Sequence, residues 1–268
     1  MHHHGMVRPM RITTWNVNGL RASLRKNFAA HVRDIDPDIL LLQEVRAKPG
    51  QLKEWAAPDG WHCLWHPAEK KGYSGVAIWS RTAPEILETG LGCADPEGRV
   101  LRVRVGWLQV VSLYLPSGSS GEVRQAYKDD FMDQLYDWMK PMVASDEPIV
   151  VAGDWNIAPT ENDIHNPRGN KNSSGFLPHE RAWFQTVLDQ GWTDLHRHHV
   201  GEQKGPYSWW SNRGRARELD RGWRIDLALG NPAATERLKD ASVLRQAGLD
   251  SSDHAPVTIE LSNRRPTR

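Results

Sequence analysis

Apolar positions follow two rhythms along this chain. Runs rich in β-branched, aromatic and leucine residues at 11–17, 39–43, 62–65, 76–79, 100–105, 108–115, 149–152, 207–210, 223–229 and 256–261 each predict a strand. Elsewhere the period lengthens. Phe131, Leu135, Trp138 and Met142 follow one another at steps of four, three and four, which places one apolar stripe on a helix over 125–143. Trp183, Phe184, Val187 and Leu188 do the same over 179–190, and Phe28, Val32 and Ile35 mark a further helix. Strands outnumber helices and several are joined by short turns, so strict β-α-β alternation fails. A mixed α/β sandwich is expected rather than a parallel doubly wound sheet. The Gly/Ser stretch at 117–121 lies between a strong strand and a strong helix, and five residues there read as a loop within one domain spanning 10–263.

Composition narrows the class. The 268 residues are 39% hydrophobic and 25% charged, the profile of a soluble globular protein able to bury a large core. Residues 1–9 read as the remnant of an expression tag and 264–268 as a basic tail. No apolar run approaches the roughly 20 residues that cross a bilayer, and the start lacks a secretion signal's apolar core, so a cytoplasmic protein without a membrane partner is expected. Cys63 and Cys93 form no metal-type spacing and read as small core residues. A net charge of +1 excludes coating nucleic acid by bulk charge but leaves room for a local basic face. Arg213, Arg215, Arg217, Arg221 and Arg224, or the tail Arg264 and Arg265, could supply it. Of the 13 Trp, most are expected in the core, while those beside the Arg-rich stretch are candidates for stacking on a base or sugar.

Candidate chemistry gathers where apolar runs end. A strand period of two puts Asn16 and Asn18 on one face; Glu44 leaves the run 38–43; Asp154 and Asn156 leave 149–152; Asp226 sits inside an apolar segment; and Asp253 and His254 precede the last strand. Each has an ordinary alternative. Asn16 and Asn18 could belong to a turn closed by Gly19, Glu44 could be a surface acid, Asp154 and Asn156 could close a strand, Asp226 could pair with Arg224 and Asp253 could cap a turn. Together they point elsewhere, because converging buried carboxylates repel one another unless a cation or a hydrogen-bond network neutralises them. Oxygen donors without cysteine suit Mg²⁺ or Mn²⁺ rather than zinc. The cluster His196, His198 and His199 lacks carboxylate company in sequence and reads as a solvated segment.

The ordered motifs TTWNVNGLRA, LLLQEVRA, SGVAIWS, VSLYLPSGSSGE, VVAGDWNIAP, NPRGNKNSSGFLPHER, YSWWSNRGRAR, GWRIDLAL and SSDHAPV resemble those of the exonuclease III branch of the AP endonucleases, within the DNase I-like endonuclease/exonuclease/phosphatase superfamily. The resemblance runs from about Arg11 to Leu261 and implies a four-layer α-β-β-α sandwich of two mixed sheets with helices outside. It implies that Glu44 is the principal Mg²⁺ ligand with help from Asn18 and Asp253, close to Asp154 and Asn156. Asp154 would orient or deprotonate the attacking water, Asn156 would bond the reacting phosphate, and Asn16 would steady Asp154. His254, held by Asp226, would donate to a phosphate oxygen, with the Tyr114 phenol near the scissile bond. Trp209, Trp210 and Trp223 match a pocket for a sugar lacking its base. Gly72 and Tyr73 match a loop entering a DNA groove, and Arg21, Asn170, Asn172, Arg213 and Arg224 are further candidates for contact with DNA. Asn18 stands where some relatives carry Asp, Ser173 where Asn is common and Ser117 where Asn or Gln is usual.

The expected protein is therefore a monomeric Mg²⁺-dependent or Mn²⁺-dependent DNA-repair phosphodiesterase with no obligate protein partner. It would act on duplex DNA carrying abasic sites, nicks or 3′ ends, as an AP endonuclease with 3′ to 5′ exonuclease and 3′-phosphatase activity. Two alternatives differ in a testable way. A phosphatase of phosphoinositide or phospholipid head groups would ignore an abasic duplex as competitor, and a catalytically silent DNA-binding module would form no Mg²⁺-dependent product.

Overall fold

The computed structural model describes residues 8–264; the tag reading before Arg8 and the tail beyond Arg264 lie outside the described residues. Two six-stranded mixed sheets face each other. One runs β11-β12-β1-β2-β4-β3, built from Leu238–Val243, Val257–Leu261, Met10–Asn16, Ile39–Gln43, Val76–Ser80 and His62–His66. The other runs β5-β6-β7-β8-β10-β9, built from Glu85–Thr89, Val100–Val105, Leu108–Tyr114, Ile149–Asp154, Asp226–Gly230 and Thr193–Asp194. In each sheet one central pair is parallel, β1 with β2 and β7 with β8, and the neighbours outside it are antiparallel.

The continuous apolar runs arise because the central strands are covered on both faces. In β2, Ile39 and Leu41 point between the sheets toward Leu101, Val110 and Val150, while Leu40 and Leu42 face outward onto Leu20, Phe28 and Val32. These last three lie on α1 (Leu20–Leu24) and α2 (Phe28–Ile35). The second sheet repeats the pattern. Val111, Val151 and Leu229 pack outward on Phe131, Leu135 and Met139 of α3 (Glu122–Met139) and on Phe184 and Val187 of a helix at Pro178–Asp189. The four-layer sandwich is thus present. Among the described residues no helix is long and apolar enough to cross a membrane.

Where expectation and structure differ, the reason is local. β5, β9 and β11 escaped the apolar pattern because the first and last are partly exposed strands with shifted register and β9 has only two residues. Residues 207–210 and the first part of 223–229 form isolated bridges instead of strands, Trp209 pairing with both Trp223 and His254. The apolar stripe of α3 drifts, so Met139 enters the core and Trp138 is only half-buried, its indole N–H donating to Glu88. Cys93 is exposed rather than a core residue; Cys63 is half-buried, and that burial pushes its thiol up to about 12. His196 is buried, not solvated, on a short helix at Leu195–Val200. That burial, followed by the nearby Arg224 charge, lowers His196 to about 4.

Candidate active site

Strand register assembles the site. Tyr114 at the end of β7 is level with Asp154 at the end of β8, which is level with Asp226 at the start of β10, so three polar side chains form a row across one sheet. Asn16 at the end of β1 is level with Gln43 at the end of β2, which delivers Glu44 from the opposite sheet. The row and its counterpart meet at the mouth of the sandwich. Asn16, fully buried, donates from its amide to Glu44 Oε1 and to Asp154 Oδ2, both at 2.9 Å.

Gly153 is required where β8 approaches β7: an added Cβ would fall 1.8 Å from the Leu113 carbonyl oxygen. Three residues on, the chain turns sharply. Asn156 has φ of 48° and its backbone N–H donates to Asp154 Oδ1 at 2.9 Å, so Asp154 and Asn156 do close a strand, in an Asx turn. One amide hydrogen of Asn156 goes to the Leu115 carbonyl at 2.8 Å, leaving the other for a ligand. Asn18 and Glu44 also occupy the left-handed region, at 47° and 50°. Three such residues in one cluster store backbone strain on the order of 1 kcal/mol each, a cost found chiefly at functional sites.

His254 completes the floor. Its Nδ1 lies 2.9 Å from Asp226 Oδ2 and its Nε2 3.9 Å from Asp154 Oδ2. Burial opposes its charge, but Asp226 and then Asp154 outweigh it and push the imidazole up to about 10, so His254 is protonated at neutral pH. Asp154 is raised as well: burial, with Asp226 and Glu44 adding repulsion against the attraction of His254, lifts its carboxyl to about 7. Tyr114 is held well above the ordinary phenol range, first by burial and then by Glu44 and Asp154. Arg99 stacks on the Tyr114 ring at 4.6 Å and donates to its carbonyl at 3.0 Å.

Asn18, Glu44, Tyr114, Asp154, Asn156, Asp253 and His254 line one open cleft of about 750 Å³. Asn170, Asn172, Trp209 and Trp223 form its further wall. Trp209 and Trp223 meet edge to face, 6.0 Å between centroids, and the Trp209 indole donates to Asp253 Oδ2 at 3.2 Å. Asn16 and Asp226 lie beneath the cleft. Arg21 and Gly72 border a neighbouring recess of about 380 Å³ with Arg25 and Arg46, and Arg213 is exposed on its loop.

Other candidates for DNA contact fall elsewhere. Arg224 is 1% exposed, bonded to Asp163 and Asp194 at 2.7 Å each, and cannot reach a ligand. Its partner is therefore not Asp226, which is held instead by His254 and Ser208. Trp210 is wholly buried with Tyr207 and Ala255, its indole bonded to Asp220, so the aromatic wall consists of Trp209 and Trp223. The Tyr73 phenol is engaged by Arg99 and Arg124. Ser173 bonds Asn170 within its own loop.

Sequence reasoning missed Ser208, whose hydroxyl donates to Asp226 Oδ2 at 2.6 Å while accepting the amides of Ile225 and Asp226. It also missed Arg46, which bonds Glu44 Oε2. Ser208 lies inside the quoted YSWW motif, but nothing in its residue type marks it. Arg46 follows Glu44 by two residues, a spacing that could have suggested the pair.

Glu44, Asp154 and His254 each offer an atom within 4.8 Å of the others and could hold a metal ion. A protonated His254 is a poor ligand, whereas the carboxylates suit a hard cation. Burial is the chief cause of the upward shift of Asp154, and Asp226 and Glu44 add repulsion that a bound cation would relieve, so the donor set fits such an ion.

Residues 13–254 match the model of the Endonuclease/Exonuclease/phosphatase family. The chain is 36% identical over 253 residues to an exodeoxyribonuclease of Bacillus subtilis, covering 93% of this chain and 98% of the relative. It is equally 36% identical to the DNA repair nuclease APEX1 of Danio rerio over 265 residues, 96% of this chain and 84% of that one. Among solved structures it is similar to the 3′ phosphatase NExo from Neisseria bound to a product DNA hairpin, with a TM-score of 0.85, 34% identity and coverage of 94% and 99%. An AP endonuclease from Archaeoglobus fulgidus gives a TM-score of 0.84 at 28% identity, with the same coverage of each chain.

Proposed function

Because this chain belongs to the Endonuclease/Exonuclease/phosphatase family, we propose that it is a DNA-repair phosphodiesterase that cuts duplex DNA on the 5′ side of abasic sites and clears 3′ ends. The observation that carries this reading is the meeting of Tyr114, Asp154, Glu44 and His254 in one cleft with an aromatic wall, supported from beneath by Asn16 and Asp226. Hydrolysis at phosphorus needs a base, fixed donors and neutralisation of the developing charge.

Asp154, near 7 and aligned by Asn16 and the Asn156 amide, orients the attacking water and accepts its proton. His254, held protonated by Asp226, presents Nε2–H to a non-bridging oxygen, and the free amide hydrogen of Asn156 meets another. Tyr114 stands beside the scissile bond, its ring fixed by Arg99. As the water oxygen bonds to phosphorus, the phosphorus–O3′ bond breaks and the leaving oxygen takes a proton from solvent, which gives the 3′ hydroxyl. Glu44, with Asn18 and Asp253, would hold Mg²⁺ or Mn²⁺. Such an ion, when bound, supplies positive charge against the phosphate and leaving oxygen. Trp209 and Trp223 offer an apolar surface to a sugar without its base, Arg21 and Gly72 in the neighbouring recess and Asn170 and Asn172 on the cleft wall line the approach of the strands, and Arg213 is exposed on its loop for a further phosphate. Every residue of this centre comes from one chain, which suits a monomer.

The experiment is a product gel on three duplexes: one with an internal abasic analogue, one with a recessed 3′ end and one with a 3′ phosphate, each with and without Mg²⁺. Incision of the first and trimming of the others, dependent on Mg²⁺, is the expected result. Hydrolysis of an inositol phosphate with all three duplexes left intact would overturn the reading.

A further inference from the structure

Behind the catalytic turn lies a charged pair that the mechanism above does not use. Lys128 of α3 and Glu180 of the helix at Pro178–Asp189 are both 0% exposed and meet at 2.6 Å. A buried ion pair is a weak source of stability, since desolvation offsets most of its attraction and an apolar pair of similar volume often serves as well. Its partners suggest what this one does. Lys128 Nζ also donates to the Asn156 carbonyl at 2.9 Å. Glu180 Oε2 accepts the backbone amides of Gly175 at 2.6 Å and Leu177 at 3.0 Å, and Oε1 accepts from Gln125 at 3.0 Å.

The cation thus grips the strained turn that carries Asn156, and the carboxylate grips the loop bearing Ser173, Ser174 and Gly175 on the cleft wall. The two segments also touch directly: the Ala158 amide donates to the Gly175 carbonyl at 2.8 Å. Gly175 is at φ of 91°, and a Cβ there would lie 2.9 Å from the Asn156 oxygen, so the loop seats against the turn with no space to spare. Neither side chain reaches the cleft.

We propose that Lys128 and Glu180 are positioning residues for the reaction, clamping the Asn156 turn and the 173–177 loop into one rigid wall that fixes both the catalytic amide and the substrate strand. The inference rests on the nuclease reading. Misplacement of a catalytic group by about 1 Å costs on the order of 10²-fold in rate, so a clamp of this kind shows itself in turnover before it shows in stability.

The test is the charge-neutral, volume-matched double variant K128M/E180Q, assayed at single turnover on an abasic duplex, with melting and amide hydrogen exchange measured in parallel. The expected result is a 10- to 100-fold loss of kcat with KM within about threefold, a melting temperature within about 5 °C, and faster exchange over 170–177. Should the double variant not fold, K128Q/E180Q, which removes both charges together and keeps a polar side chain at each position with one acceptor for the Gly175 and Leu177 amides, is expected to fold and to lose about 3- to 10-fold in kcat with the same acceleration of exchange. Unchanged kcat and exchange in a folded variant would overturn the clamp while leaving the nuclease reading intact. Lowered melting temperature with full turnover per folded molecule would do the same. A wild-type protein inert on the duplex would instead overturn the nuclease reading, and the clamp with it.

Discussion

Asp154 and His254, 3.9 Å apart, are both raised above their ordinary values, to about 7 and about 10, and the gap between them sets a proton acceptor beside a proton donor within one buried cluster. Asp154→Asn and His254→Ala are each expected to lower kcat by about 10² to 10⁴, the range typical of a lost general base or oxyanion donor. Steady-state incision of an abasic duplex measures this; near-normal nicking by both variants would contradict the roles assigned. His196 offers a stability test away from the site. Its folded pKa of about 4 lies below the ordinary 6.5, so the unfolded chain binds more protons between those values. Its contribution is therefore fully present above pH 6.5 and is lost as pH falls toward 4, about 3 kcal/mol at most. His196→Leu should flatten the urea midpoint over that window, and an identical slope in both proteins would refute the burial argument. At this scale the sequence was uneven. Asp154 and Asn156 were legible only in company, because several apolar runs end in carboxylates and amides of the same kind and such a converging set needs a cation or a hydrogen-bond network. His196 was not, because a histidine's burial depends on which strand its helix covers.

Among elements, strand register does most of the positioning. The central strands were legible because burial on both faces leaves an uninterrupted apolar run, and the polar residue ending each run marked the site. What the pattern could not show was which strand ends lie level, since register across sheets joins residues far apart in sequence. Arg224 is the clearest case. Its place in an Arg-rich stretch suggested DNA, yet it ties the segment leading into β10 to Asp194 of β9 and to Asp163 at the end of a 3-10 turn over Glu161–Asp163. Arg224→Met leaves two buried carboxylates without their cation, although Arg197 still reaches Asp163. The expected loss is about 3 to 5 kcal/mol in denaturant unfolding. A midpoint shift equivalent to less than about 1 kcal/mol, with weakened binding of DNA instead, would restore Arg224 to the nucleic-acid surface.

On the scale of the whole molecule, a net charge of +1 means that any hold on DNA comes from where the charges sit. Arg21 and Arg25 are exposed beside the cleft and have no ion pair among the described residues. Arg21→Ala is expected to weaken duplex binding irrespective of sequence and to reduce the slope of log K against log salt by about 1. An unchanged slope would remove Arg21 from the phosphate contacts. The phosphodiester hydrolysis proposed for Glu44, Asp154 and His254, brought together by the two sheets, depends on a cation. Its most direct test is the rate of incision of an abasic duplex by protein stripped with EDTA and then titrated with Mg²⁺, wild type beside Glu44→Gln. The prediction is no cutting without metal, recovery on adding Mg²⁺, and a higher Mg²⁺ requirement in the variant; incision that survives EDTA, or a variant with the wild-type requirement, would contradict it.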